Sequence, residues 1–222
     1  MSFVQFLKSL DDFLYEVMTW LIFYPITMWR TLRRPLAMMN YADTELGDNV
    51  EQQYTDTLSP PLFLLLTLLL SHVIELALVG ENPIVKDNQG VSMLISDDTS
   101  LLVMRLVMFS IFPLIMAAGL LRRQRTPFTR DTLKQPFYSQ CYVAAPFAFL
   151  VGFAATIAQC HWTWSGLAAL AIIAVAFIWY GTLQSRWFAI HLKTSALHGF
   201  GIASIGMLEC VLLSALLVPI FS

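Results

Sequence analysis

The chain has 222 residues, of which 57% are hydrophobic and 13% charged, with a formal net charge of -2. Soluble proteins carry about 25% charged residues, so this composition excludes an ordinary soluble domain. A nucleic-acid binder is excluded too, because neutralising phosphates takes a surplus of Lys and Arg that this chain lacks.

Phe3 to Leu21 set apolar side chains at Phe3, Phe6, Leu7, Leu10, Phe13, Leu14, Val17, Met18 and Leu21, the spacing of one helical face. This predicts an amphipathic interfacial helix, with Lys8, Asp11, Asp12 and Glu16 on its polar side. It either anchors at the lipid surface or docks on the bundle or a protein partner. Val17 to Trp29 are apolar for too few residues to span and are interrupted by Pro25, which predicts a short interfacial or re-entrant segment. Arg30, Arg33 and Arg34 follow, placed to reach lipid phosphates. Tyr41 to Thr57 carry Asp43, Glu45, Asp48, Glu51 and Asp56 with no base among them. That run reads as a solvated acidic linker, with a docking site for a basic partner as the alternative.

Five apolar runs of bilayer length come next, predicting spans at about 61–80, 101–121, 137–158, 166–183 and 199–220. The fold class is therefore an all-α membrane protein. Residues 1–58 form an amino-terminal segment on the cytoplasmic side and residues 59–222 a five-helix transmembrane domain. Ser59, Pro60 and Pro61 suit a helix start. Lys and Arg concentrate in alternate connections: Lys8 with Arg30, Arg33 and Arg34; Arg122, Arg123, Arg125, Arg130 and Lys134; then Arg186 and Lys193. The asymmetry predicts a cytoplasmic amino terminus and an outside carboxyl terminus. Small residues at Ala144, Ala148, Gly152 and Ala155, and from Ser195 through Gly199, Ala203, Gly206 and Cys210 to Ser214, predict faces where helices approach closely.

Polar residues inside the spans are the candidate functional groups. Thr67, Ser71 and Glu75 recur every four residues with His72 beside them, a stripe that must face the interior or a wet cavity. Arg105 lies at about the same depth in the next span, so it is the predicted partner of Glu75. Glu209 sits near the middle of the last span, either as a protonated carboxyl in a helix contact or as part of a proton or cation relay. His72 and Glu75 make only half a metal site, and the three cysteines offer no zinc spacing, so no metal or cofactor is expected. HExxH, GxSxG and the nucleotide-binding glycine loops are absent, so the reading is not an enzyme and no catalytic residue is assigned.

The layout, the RTLRRP element from Arg30 to Pro35 and the SPP opening at Ser59 resemble the Yip1-like membrane proteins, including bacterial members. The DLYGP-type signature of the eukaryotic branch is absent. The resemblance implies a small five-span protein of a bacterial-type inner membrane, of a kind also labelled permease. Two functions follow as expectations. One is a permease-like protein in which His72, Glu75, Arg105 and Glu209 line a proton-linked or cation-linked path. The other is a non-transporting membrane-organising or scaffold protein, acting through helix packing, a partner protein or a homo-oligomer.

Overall fold

The computed structural model describes residues 3–49, 52–80 and 98–217, without the side chains of 3–7, 12, 98–101 and 217. Glu51, the connection with Lys86 and Asp97, and the carboxyl-terminal end of the predicted fifth span lie outside the described residues. Among the described residues seven helices follow in order: α1 (Phe3–Arg33), α2 (Pro35–Glu45), α3 (Pro60–Val79), α4 (Asp98–Gln124), α5 (Arg130–Gln159), α6 (Ser165–Leu192) and α7 (Ala196–Leu217). Among the described residues α3 to α7 supply five helices long and apolar enough to cross a membrane.

Helices α4, α5 and α6 extend beyond the predicted spans at both ends, whereas α3 matches its span to within one residue. Helix α5 begins at Arg130 rather than near Phe137, where Thr129 and Thr132 form a reciprocal capping box. Helix α6 runs on to Leu192, where Lys193 takes a left-handed conformation and ends it. Ser59 occupies the N-cap position of α3, but its side chain makes no capping bond; Pro60 and Pro61, which need no acceptor, open the helix. Gly80 closes it at φ 84°, a backbone that glycine adopts freely.

The amino-terminal segment differs from the sequence expectation. The amphipathic helix and the short interfacial or re-entrant element are one continuous helix, α1, with Pro25 inside it. Pro25 removes a single ladder bond, and close packing against neighbours compensates for that loss. Thr27 accepts from the Leu58 N–H at 3.1 Å and the Tyr24 hydroxyl donates to Thr67 at 3.2 Å. Val17, Trp20, Leu21 and Tyr24 line a groove with Leu66, Leu70 and Val73. Helix α1 thus runs antiparallel to α3 and reaches well past its first turns.

Helix α5 is central, packing against α1, α2, α3, α4 and α6, while α7 closes the far side against α4 and α6. One core joins α4 to α7 through Phe112, Met116, Phe147, Tyr180 and Trp187, with the Phe147 and Tyr180 rings stacked 4.6 Å apart. A second joins α2, α3 and α5 through Phe63, Leu64, Leu68, Tyr142 and Ala145. The small residues sit at the closest crossings. A Cβ on Gly152 would overlap Ser71 of α3, and one on Gly199 would overlap the Ser185 carbonyl of α6. This packing gives the bundle a basic end, where Arg30, Arg122, Arg130 and Lys193 gather at helix termini, and an opposite end.

Candidate functional site

Near the opposite end, three helices converge on one carboxylate. The four-residue spacing of Thr67, Ser71 and Glu75 turns all three into the bundle, and each is buried. Glu75 is 1% exposed. Arg105 of α4 reaches its Oε2 at 2.5 Å, and the Gln159 amide of α5 donates to its Oε1 at 3.2 Å. Gln159 also donates to the Ala155 carbonyl at 3.1 Å, which fixes the amide in place. His72, one turn from Glu75 on α3, lies 3.9 Å from Oε2 through Nδ1, beyond hydrogen-bond reach. The cluster is a charge-assisted latch holding α3, α4 and α5 together, with an imidazole beside it.

Glu209 stands elsewhere. Its Oε1 lies 3.6 Å from Nη1 of Arg122, and the side chains are 42% and 62% exposed. The predicted joint path through His72, Glu75, Arg105 and Glu209 is therefore corrected: the first three meet, and Glu209 pairs instead at the bundle surface. Arg122 falls just past the predicted end of its span but still within α4, and its side chain meets Glu209 on the exposed surface of the bundle.

A second polar network occupies the basic end, and sequence reasoning missed most of it. Asp56 accepts from Arg30 at 2.7 Å and from the Tyr41 hydroxyl at 2.6 Å. Burial pushes the Asp56 carboxyl up, but the bonds from Tyr41 and Arg30 outweigh it and hold its pKa below the ordinary value. Tyr142 donates to the Leu58 carbonyl at 2.8 Å, tying the linker to α5. Ser139 contacts Asp43 at 2.5 Å and the Met39 carbonyl at 2.9 Å, and burial raises the Asp43 carboxyl. The acidic run is thus partly folded into the protein rather than wholly solvated. Gln140 and Gln184, both fully buried, exchange amide bonds at 2.9 and 2.6 Å between α5 and α6. Asp43, Gln124, Thr132, Gln135, Trp187 and His191 border an open cleft of about 270 Å³ here.

Of the predicted interfacial arginines, Arg30 is committed to Asp56, whereas Arg33 stacks over the Trp29 ring at 5.8 Å and Arg34 closes the turn into α2. Among the described residues no group of three or more His, Cys, Asp or Glu side chains could hold a metal ion. Comparisons with known proteins return no family model, no curated protein and no solved structure that matches the chain.

Proposed function

We propose that this polytopic membrane protein is a small proton-linked permease of a bacterial-type inner membrane, with Glu75 as the titrating group and Arg105 as the latch that proton binding releases. The observation that carries the reading is a carboxylate 1% exposed within a spanning helix and bonded by side chains from two others. Apolar residues of similar volume fill such a space at no loss of stability, so intramembrane charge is an expensive way to pack helices. Protonating Glu75 removes the charge that holds Arg105 and frees α4 to move relative to α3. His72 lies 3.9 Å from Glu75, near enough to exchange a proton with it on this reading.

The basic end faces the cytoplasm in this reading, which places the carboxyl terminus outside. Helix α1 runs toward the basic end, so Arg30 to Arg34 sit at the cytoplasmic surface and the amino terminus points away from it. On this reading the amino terminus lies on the side opposite to the one expected from counting Lys8 with the arginines.

The test is proton flux in reconstituted vesicles, read with a trapped pH dye. Wild type should collapse an imposed pH gradient, and Glu75→Gln combined with Arg105→Gln should abolish that flux while the protein stays folded. Glu209→Gln should leave flux unchanged. A wild type that moves no protons, or a double variant that moves them as well as wild type, overturns the reading.

The second reading is a non-transporting, Yip1-like scaffold. It is favoured by the outward apolar face of α1, where Met18, Ile22 and Trp29 are exposed. In that case the latch only fixes helix packing, and the double variant loses assembly with a partner or a second copy rather than flux.

A further inference from the structure

We infer that the elbow between α1 and α2 is a binding site for an anionic phospholipid, with its phosphate on Arg33 and Arg34 and its acyl chain along the outer face of α1. The proposal is independent of the transport reading, because it uses none of the latch residues.

The apolar half of the site follows from helical register. Leu14, Met18, Ile22, Ile26 and Trp29 follow one another at spacings of four and three residues, which stacks them on one face of α1. All five are exposed, and the same helix turns Trp20, Tyr24, Thr27 and Thr31 toward the bundle. The stripe is therefore the face turned away from protein. Its depth is set by the contacts behind it: Tyr24 bonds to Thr67 inside α3, and Val17 and Leu21 share a groove with Leu70 and Val73. Those α3 residues belong to a helix of bilayer-crossing length and hydropathy. An acyl chain is the medium such a stripe meets at that depth.

The polar half lies where the stripe ends. Arg33 is one turn beyond Trp29 on the same face, with its guanidinium 5.8 Å over the indole. Arg34 breaks the helix at φ -140°, and α2 turns away. The resulting cleft, about 410 Å³, is bordered by Trp29, Arg30, Arg33, Arg34, Met38 and Tyr41. Within it Arg30 is neutralised by Asp56 at 2.7 Å. Arg33 and Arg34 have no ion pair among the described residues, so the elbow keeps two uncompensated positive charges at the head of an apolar stripe. A phosphodiester headgroup matches both the charge and the hydrogen-bond geometry of a pair of guanidinium groups. A second copy of this chain would bring the same two arginines toward its partner's if the elbows met.

Native mass spectrometry of the full-length protein, delipidated and then exposed to phosphatidylglycerol or phosphatidylcholine with identical chains, tests the site. Wild type should retain phosphatidylglycerol on the order of tenfold better at low salt, and the preference should shrink as salt is raised. Arg33→Gln with Arg34→Gln should erase the preference with little change in thermal stability, because neither arginine has an ion pair among the described residues and Arg33 loses only its contact with the exposed Trp29 ring. Arg33→Lys with Arg34→Lys should keep most of it. Ile22→Ser with Ile26→Ser should weaken retention of both lipids. Arg122→Gln with Arg123→Gln should leave the preference intact. Equal retention of the two lipids by wild type, displacement of the lipid by inorganic phosphate alone, or a dimer that the arginine changes leave intact would each overturn the assignment.

Discussion

Both ends of the bundle pair an arginine with a carboxylate, yet burial makes the two pairs different objects. At one end Glu75 and Arg105 meet at 2.5 Å with side chains 2% and 18% exposed. At the other Asp56 and Arg30 meet at 2.7 Å with side chains 55% and 43% exposed. Water screens the second pair and leaves it worth about 0.2–1 kcal/mol. The first is buried, so breaking it removes a charge-assisted bond from the interior rather than from water. The basic end is held instead by many neutral bonds, such as the Gln140 and Gln184 amides and the Tyr142 bond to Leu58, and by close backbone approach at Gly199. One end concentrates its polar energy in a single carboxylate; the other distributes it.

The contrast can be broken at its strongest point. Glu75→Gln or Arg105→Gln alone should cost about 3–5 kcal/mol in unfolding from detergent micelles, the typical loss on unpairing a buried ion. A loss no larger than that of Asp56→Asn would erase the distinction between the two ends. Next in size, Gly199→Val should cost about 1–3 kcal/mol, since its side chain must displace the Ser185 backbone rather than a flexible side chain. Normal stability there would mean that α6 and α7 do not cross as closely as described.

The smallest effect sharpens the comparison through pH. Asp56 has a folded-state pKa below its unfolded one. Its contribution is therefore complete above the unfolded value near 4 and fades as pH falls through the depressed folded value. Asp56→Asn should lose less than about 1 kcal/mol at neutral pH, and its acid unfolding should be less steep than wild type. A steeper acid transition in the variant would contradict the assignment. Asp43 has the opposite sign, since burial raises it, so it favours folding below its unfolded pKa and loses that advantage as pH rises through the folded one.

Much of the spanning architecture was legible because hydropathy over bilayer length is a strong, local signal. The depth match between Glu75 and Arg105 was legible for a related reason: charges in apolar runs are rare, and helical rise converts sequence position into depth. Gln159 was not, because an amide near a span end carries no such contrast. The Gln140 and Gln184 pair is invisible for the same reason, being two neutral residues 44 positions apart whose meeting depends on how α5 and α6 cross. The Arg122 pairing was missed because hydropathy ends the span before the helix ends. Helix α1 was divided by local pattern into an amphipathic stretch from Phe3 to Leu21 and a short apolar segment from Val17 to Trp29, whereas contacts from α3 and α5, which no local window contains, hold it as one helix.

The double-mutant cycle on Glu75 and Arg105 tests the account most directly. Thermal or denaturant unfolding of wild type, Glu75→Gln, Arg105→Gln and the double variant gives the coupling energy without reference to any substrate. The double variant should be more stable than either single one, with a coupling of about 2 kcal/mol or more, since each single change takes one partner from a buried charge-assisted bond and leaves the other in place. Two single losses that simply add would contradict it, for then the carboxylate and the guanidinium would not be holding one another and no proton at Glu75 could release Arg105.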